Sequence, residues 1–487
     1  MIEQLKNVNK IYDLMALCCS YILKNSKLDP YEFSFFDDKE YEYVEDAIYK
    51  YSCDIKNIGK VKAFKELKKF LLNFMQNDIS IEKCYAVVLF IDENIEIEIP
   101  SGLLEVLPAT KYGSLNDQYK DEIKIFPNNI NRICDRKGIN NLKLEMDGIL
   151  GTSSDFRKSR DCYCSELDEF LSNYSIWDKE YIDKYPLTIY HISESSDIGE
   201  HFRKRNKVVF GVAPLTKKDI KDLFCVEYKQ NAFYIKSLKE EAENQIKQRF
   251  KEIYKRSREK DIDFLIFPEM LITQNIVNTI KDEYDEKDGY PEFIINGSIS
   301  KDGTNKSIIT DGVGNEIFSY FKKTSFYHRV GKQIYREYLD KTKNRDYVIL
   351  EIEHYGRIGI GICKDLTNEN FKIFQKSMKT DILIIPSYTP SLDLLSSAKE
   401  ISEEYLCTVI VVNACSAIND KNSDDIGFLT YPGKDGTRRC ENIQMFSKKS
   451  CKKNCEIICE GKIITVNFEK GITKNRTLSY NVTEMPL

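Results

Sequence analysis

The sequence predicts an α/β layered fold for its C-terminal part, preceded by a separate α+β domain. Three observations carry this. From about residue 186, short apolar runs recur: Val208–Val212, Phe264–Phe267, Phe293–Ile295, Ile308–Ile309, Ile358–Ile362, Ile382–Ile385 and Thr408–Val412. Their apolar residues are continuous rather than alternating, as in strands buried on both faces. Second, charged helical stretches lie between some of them. In Ser237–Lys260, residues Leu238, Ala242, Ile246, Phe250 and Ile253 fall at helical spacing. Third, the texture before residue 186 differs, being rich in Tyr, Asp and Glu. A chain of 487 residues exceeds the usual size of a single core. The expected division is an accessory domain at 1–185 and an α/β domain at 186–487.

In the first region, helices are expected at Leu5–Lys24, Glu40–Lys50 and Val61–Asn77. A strand is expected at Ala86–Ile91, and the alternation of Ile95–Ile99 suits a half-buried strand. Gly148–Ser159 reads as a loop, and Cys162 and Cys164 are too close together to chelate zinc alone. No motif for chemistry stands out here.

Composition narrows the function classes. Hydrophobic residues make up 42% and charged residues 31%, with a net charge of −5. That balance argues against a general nucleic-acid or membrane-surface binder. No stretch approaches the roughly 18 apolar residues of a membrane span. The N-terminus reads as an amphipathic helix rather than a signal peptide. Fifteen scattered cysteines, an odd number, then read as reduced thiols in a cytoplasmic protein.

In α/β layers, reactive residues tend to sit just beyond strand ends. Three such positions stand out. Glu269 follows DIDFLIF, where Pro268 ends the strand. A carboxylate partly desolvated there gains a raised pKa suited to general-base work. Lys322 and Lys323 lie in SYFKKTSFY, after Gly314–Tyr320, which reads as a turn followed by a strand. Cys363 ends RIGIGI, in which Gly359 and Gly361 permit close backbone approach. A cysteine on a strand-to-turn junction offers a nucleophile, and the following backbone N–H groups offer an oxyanion site. A thiol needs an activating neighbour to be a thiolate at neutral pH. A carboxylate and an amine brought beside it would supply that activation.

These residues together resemble the nitrilase superfamily of carbon–nitrogen hydrolases, over roughly Lys207–Phe468. DFLIFPEMLIT looks like its glutamate motif and GRIGIGICKDL like its nucleophile motif, in which the cysteine is followed by any residue and then Asp or Glu. FKKTSF is similar to the lysine motif, an aromatic, any residue, then Lys. Counting from Phe321 selects Lys323; Lys322 is the rival, counting from Tyr320. VVFGVAP at 208–214, DILIIPSYTP at 381–390 and the segment 398–418, with Glu404 and Asn413, add further similarity. The resemblance implies a four-layer αββα sandwich, a homodimer or larger homo-oligomer, and thiolate attack on a small-molecule amide or nitrile. A covalent acyl-enzyme would follow, with no required cofactor. It assigns Glu269, Lys323 and Cys363 as catalytic and Glu337 as a second glutamate. Lys364 would supply an oxyanion donor through its backbone, and Ser387 and Tyr388 would lie by the substrate. The sequence departs from true nitrilases in carrying Lys364-Asp365 after the nucleophile instead of Trp-Glu, which favours amides. Its single tryptophan, Trp177, lies outside the motif. A catalytically silent interaction protein and an N-acyltransferase remain the alternatives.

Cys440, Cys451, Cys455 and Cys459 could hold a structural Zn²⁺, although paired C-x2-C knuckles are absent; the alternative is free thiols in a Lys-rich loop, Ser447–Asn454. Four histidines in the chain make a His-rich metal centre unsuitable, and His328 and His354 flank the candidate site in sequence.

Overall fold

The computed structural model describes residues 1–25, 38–76, 79–95, 110–112, 115–118, 123–127, 171, 174–178, 186–205, 207–216, 218, 220–258, 260–284, 289–301, 303–340, 342–343, 346–353, 355–389, 393–405, 407–417, 425–432, 440–447, 461–469 and 479–487. These form two compact units. One comprises Met1–Glu105, Lys111–Asn131 and Asp135–Thr188; the other comprises Val106–Thr110, Arg132–Cys134 and Ile189–Leu487. Among the described residues, no helix is long and apolar enough to cross a membrane.

Among its described residues the first unit is mainly helical. Ile2–Asn7, Ile11–Asn25, Asp38–Ile58, Lys60–Met75 and Ile81–Asn94 are helices, joined by an antiparallel pair, Ile123–Pro127 with Tyr174–Asp178. The single N-terminal helix expected over Leu5–Lys24 is broken at Val8, which is extended with ψ 136°. The strand expected at Ala86–Ile91 is instead part of a helix. Ser80 caps it, accepting from Lys83 N at 3.2 Å, and Cys84, Val87, Val88 and Ile91 face the core at helical spacing. A short apolar run satisfies either period, and here the cap decides. Residues 96–99, Gly148–Ser159, Cys162 and Cys164 lie outside the described residues.

The second unit holds two large sheets. In one, three parallel strands, Gly356–Ile360, Ile382–Ser387 and Thr408–Asn413, are flanked by Tyr347–Ile352 on one side and Asp425–Pro432 and Cys440–Ser447 on the other. In the other, Lys207–Val212, Phe264–Ile266 and Phe293–Ile295 are parallel. They continue through Thr304–Asp311 to Glu316–Phe321, and on the opposite side to Lys462–Glu469 and Ser479–Pro486.

The central strands are buried on both faces, so each sheet needs two covers. Helices Glu240–Ser257 and Gln274–Glu283 cover the second sheet, with the Phe250 and Phe267 rings packed at a tilt, 4.5 Å between centroids. Helices Glu369–Ser377 and Asp393–Tyr405 cover the first. Phe374 stacks on Tyr347 at 4.4 Å, and Ser402 Oγ lies 2.7 Å from Thr430 Oγ1. A Cβ at Gly361 would meet Phe371 at 2.6 Å, so glycine there lets the helix approach. Between the sheets, Tyr190 stacks on Phe318 at 4.8 Å, and Phe202 touches Phe264, Phe293 and Tyr355. The result is an α/β sandwich of helix, sheet, sheet and helix layers. A smaller four-stranded sheet joins Tyr327–Val330, Gln333–Glu337, Ala232–Leu238 and Phe224–Lys229 in that order.

Candidate active site

Glu269 emerges three residues beyond the Phe264–Ile266 strand and is fully buried. Its turn is held from several sides. Its own N–H donates to Ser387 O at 3.3 Å, and Met270 N donates to Ser298 Oγ at 3.0 Å. Gly297, at φ +56°, lies so close that a Cβ would sit 2.0 Å from Pro268 O.

Lys322 directly follows the Glu316–Phe321 strand. Phe318, Tyr320 and Lys322 alternate inward, and all three are buried. Antiparallel register pairs Phe321 with Lys306 and so sets Lys322 opposite Asn305, whose carbonyl accepts Lys322 N at 2.8 Å. Lys322 Nζ donates to Glu269 Oε1 and to Glu337 Oε2, each at 2.7 Å. Asn305 Nδ2 bridges the same two carboxylates, at 2.8 Å to Glu269 Oε1 and 3.1 Å to Glu337 Oε1. Glu337 ends its strand with its carboxylate inward, accepting Phe326 N at 3.0 Å.

Cys363 follows the Gly356–Ile360 strand at the start of a short 3-10 turn, with φ +49° and its side chain buried. This left-handed conformation costs a non-glycine residue about 1–2 kcal/mol, and it marks a sharp turn. The thiol lies close to the Glu269 carboxylate and the Ser387 hydroxyl. Tyr388 N donates to Glu269 Oε2 at 2.9 Å. Asn413 clamps the same segment: its Oδ1 accepts Thr389 N at 3.0 Å, and its Nδ2 donates to Thr389 O at 2.9 Å. Lys364 follows Cys363 on the turn and is half-buried.

The structure corrects one expected position. Lys323 does not reach Glu269. Its ammonium lies over the Tyr320 ring at 4.7 Å and the Tyr347 ring at 5.5 Å, and donates to Phe321 O at 3.1 Å. The alternation of the strand turns Lys322 inward and its neighbour aside. Sequence reasoning also missed Asn305. The available signal was an asparagine on the inward face of a strand, in phase with Ser307 and Ile309, where an apolar residue would be ordinary.

Burial governs the ionisation of this cluster. Desolvation pushes the Glu269 carboxyl up, with the Glu337 charge acting the same way and the Lys322 ammonium opposing both. Burial also pushes the Cys363 thiol up, to about 12, helped by the Glu269 charge. Lys322 is held well above the ordinary range, because Glu269 and Glu337 outweigh its desolvation. Burial pushes the Lys323 ammonium down to about 8, with the Asp365 and Asp346 charges opposing it. The resting group is therefore a thiol beside a carboxylate that can take its proton, with an ammonium between two acids.

Cys440 is half-buried, with Glu403 beside it. Cys451, Cys455 and Cys459 lie outside the described residues, as do residues 448–460 in general, His354 and the Glu404 side chain. Among the described residues, no group of three or more His, Cys, Asp or Glu is arranged to hold a metal. His328 packs against Phe233 at 5.9 Å on the small sheet.

No family model matches the chain, and no curated protein matches it in sequence. Among solved structures it is similar to Saccharomyces cerevisiae Nit3, a member of branch 10 of the nitrilase superfamily. Identity is 13% and the TM-score 0.32, over 50% of this chain and 88% of that one. It is similar to C. elegans NitFhit at 15% identity and a TM-score of 0.33, over 49% of this chain and 61% of that one. A third is an amidase from Nesterenkonia sp., at 9% identity and a TM-score of 0.30, over 58% of this chain and 89% of that one. These neighbours are nitrilase-superfamily proteins and amidases.

Proposed function

We propose that the second unit is a carbon–nitrogen hydrolase that opens a small-molecule amide through a Cys363 acyl-enzyme. The observation carrying this reading is the juxtaposition of the Cys363 thiol, the Glu269 carboxylate and the Lys322 ammonium in one buried cluster, from three separate strand ends. In this reading Glu269 takes the thiol proton as sulfur attacks the amide carbon. The carbonyl oxygen becomes an oxyanion, stabilised by the Lys322 ammonium and by the backbone of the turn at Lys364. Glu269 then returns the proton to the departing nitrogen, so that ammonia or an amine leaves and a thioester remains. Water attacks the thioester, giving its proton to Glu269. The acid is released, and the proton returns to sulfur. Glu337 holds the far side of the Lys322 ammonium, and Ser387 and Tyr388 border the reacting thiol. The sequence of steps balances without a metal or organic cofactor.

A panel of small amides, incubated with the full chain and with Cys363→Ala, tests the reading. Release of amine or ammonia by the first and not the second supports it. Equal release, or none from any amide, would overturn it. Adding amine acceptors and looking for new amides distinguishes hydrolysis from acyl transfer by the same residues. Mapping iodoacetamide adducts in parallel tests whether Cys363 is the reactive thiol.

A further inference from the structure

The small sheet carries a surface that this chemistry does not use. Its outer hairpin pairs Tyr327–Val330 with Gln333–Glu337 across a Gly331-Lys332 turn, where Gly331 supplies φ +60°. Pairing sets Tyr327 opposite Arg336 and Arg329 opposite Ile334, so these four side chains share one face. Alternation puts that face opposite the inward Glu337 carboxylate. The face is open: Tyr327 is 60% and Ile334 52% exposed. Tyr338, just beyond the strand and in phase with Ile334 and Arg336, is exposed as well, whereas Val330 and Tyr228 are exposed on the opposite face, where Tyr228 lies against His328 and Tyr335.

Its charge is one-sided. Between Thr324 and Arg336 the sequence carries Arg329, Lys332 and Arg336 and no acid. All three are exposed, and none forms an ion pair among the described residues. The chain as a whole is acidic, at −5.

The hairpin also ends the sheet, because among the described residues Tyr327–Val330 pairs on one side only. Glu337 N donates to Phe326 O at 2.7 Å, which fixes the phase of the ladder. In antiparallel pairing, inward and outward backbone groups alternate. Tyr327 and Arg329 therefore turn their N–H and C=O groups outward, as an open template for another strand.

We propose that this edge binds an extended, acidic polypeptide segment of a partner protein by strand addition. Backbone groups of the partner pair with Tyr327 and Arg329. Its carboxylates meet Arg329, Lys332 and Arg336, and its apolar side chains cover Tyr327 and Ile334. A row of backbone donors and acceptors at strand spacing suits a polypeptide rather than a phosphodiester. The acidic chain as a whole also opposes a polyanion. Pairing the edge with itself in a second copy would set its cations against an identical set. The inference goes beyond the hydrolase reading and stands without it.

The test uses the full chain and a fluorescent peptide of about eight residues alternating Glu and Val, followed by anisotropy at low salt. Controls are the same peptide with Lys for Glu and an oligothymidine of about twelve nucleotides. We expect saturable binding of the acidic peptide only. We expect it to weaken about tenfold or more in Arg329→Glu/Arg336→Glu and in Arg329→Pro, which removes an outward N–H. Unchanged thermal midpoints in these variants establish that the fold is kept. If one unfolds, Lys332→Glu on the turn provides the same charge test. Failure of the acidic peptide to bind, binding indifferent to the substitutions, or tighter binding of oligothymidine would overturn the proposal. So would self-association of the chain that these substitutions abolish.

Discussion

The Asp365 carboxylate accepts the backbone N–H of Lys323 at 3.0 Å, and this contact joins the turn at Cys363 to the strand that leads into Lys322. The same oxygen accepts Thr324 N at 2.8 Å. The other accepts the Tyr320 hydroxyl at 3.0 Å and Ile362 N at 3.1 Å. A buried acid two residues after Cys363 thus locks the chain on both sides of Lys322. In Asp365→Asn the amide nitrogen can accept none of these donors. Loss of about 1–3 kcal/mol of stability is expected, because buried donors are left unsatisfied. Urea unfolding measures this. Turnover on an amide substrate should fall too, as Lys322 and Cys363 lose their common anchor.

The two adjacent lysines should separate cleanly. Lys322→Ala removes the ammonium between Glu269 and Glu337, and turnover should drop about 100- to 1,000-fold. Two buried carboxylates are then left without a cation, so stability should fall as well. Lys323→Met replaces a cation lying on two tyrosine rings, an interaction of about 0.5–2 kcal/mol. Its turnover should stay within a few-fold of the unaltered chain. Steady-state kinetics with denaturant curves on both variants checks this, and a large kinetic loss in Lys323→Met alone would reverse the assignment of positions.

Much of this arrangement is legible in the sequence, and the remainder is not for identifiable reasons. The continuous apolar runs located the central parallel strands, because burial on both faces leaves a strong compositional mark. The strand ends then pointed to Glu269 and Cys363. The choice between Lys322 and Lys323 depended on one residue of phase. Phe318, Tyr320 and Phe321 are all aromatic, so the inward face was not evident from composition. Asn305 takes its place from the antiparallel register with Lys322, and no local pattern encodes a cross-strand neighbour. The strand expected at Ala86–Ile91 proved helical, because a short apolar run fits strand and helix alike.

Away from the site, Arg357 and Glu351 form a fully buried pair, Nε to Oε2 at 2.7 Å, with His191 Nδ1 3.2 Å from the other carboxylate oxygen. Burial opposes ionisation of Glu351, yet the Arg357 guanidinium and His191 outweigh it and hold the carboxyl down to about 2. A depressed carboxyl stabilises the fold above its ordinary pKa, and that contribution is lost as the pH falls toward the depressed value. Arg357→Met removes the cation and leaves the acid buried, at an expected cost of about 3–5 kcal/mol near neutral pH. The variant's carboxyl would then prefer its proton. The difference between the two proteins in urea unfolding should therefore narrow on acidification.

Asn305 offers the sharpest test of the site's electrostatics. One ammonium, Lys322, serves two carboxylates, and the Asn305 amide supplies each with a further N–H. Glu269 must be ionised to act as base, while burial lifts its carboxyl above the ordinary value of 4.5. Activity should therefore be lost as the pH falls through this raised value, giving an acid limb above that of an exposed glutamate. In Asn305→Asp a donor becomes a third acid beside the same single cation. Like charge disfavours ionisation, so the limb should move up by about one pH unit or more. Asn305→Ala removes the donor without adding charge, and its limb should shift less. The measurement is kcat/KM against pH for the three proteins, with thermal midpoints to verify folding. If a folded Asn305→Asp keeps the original limb, Asn305 serves only to pack the strand, and the proton taken in the reaction does not reside on Glu269.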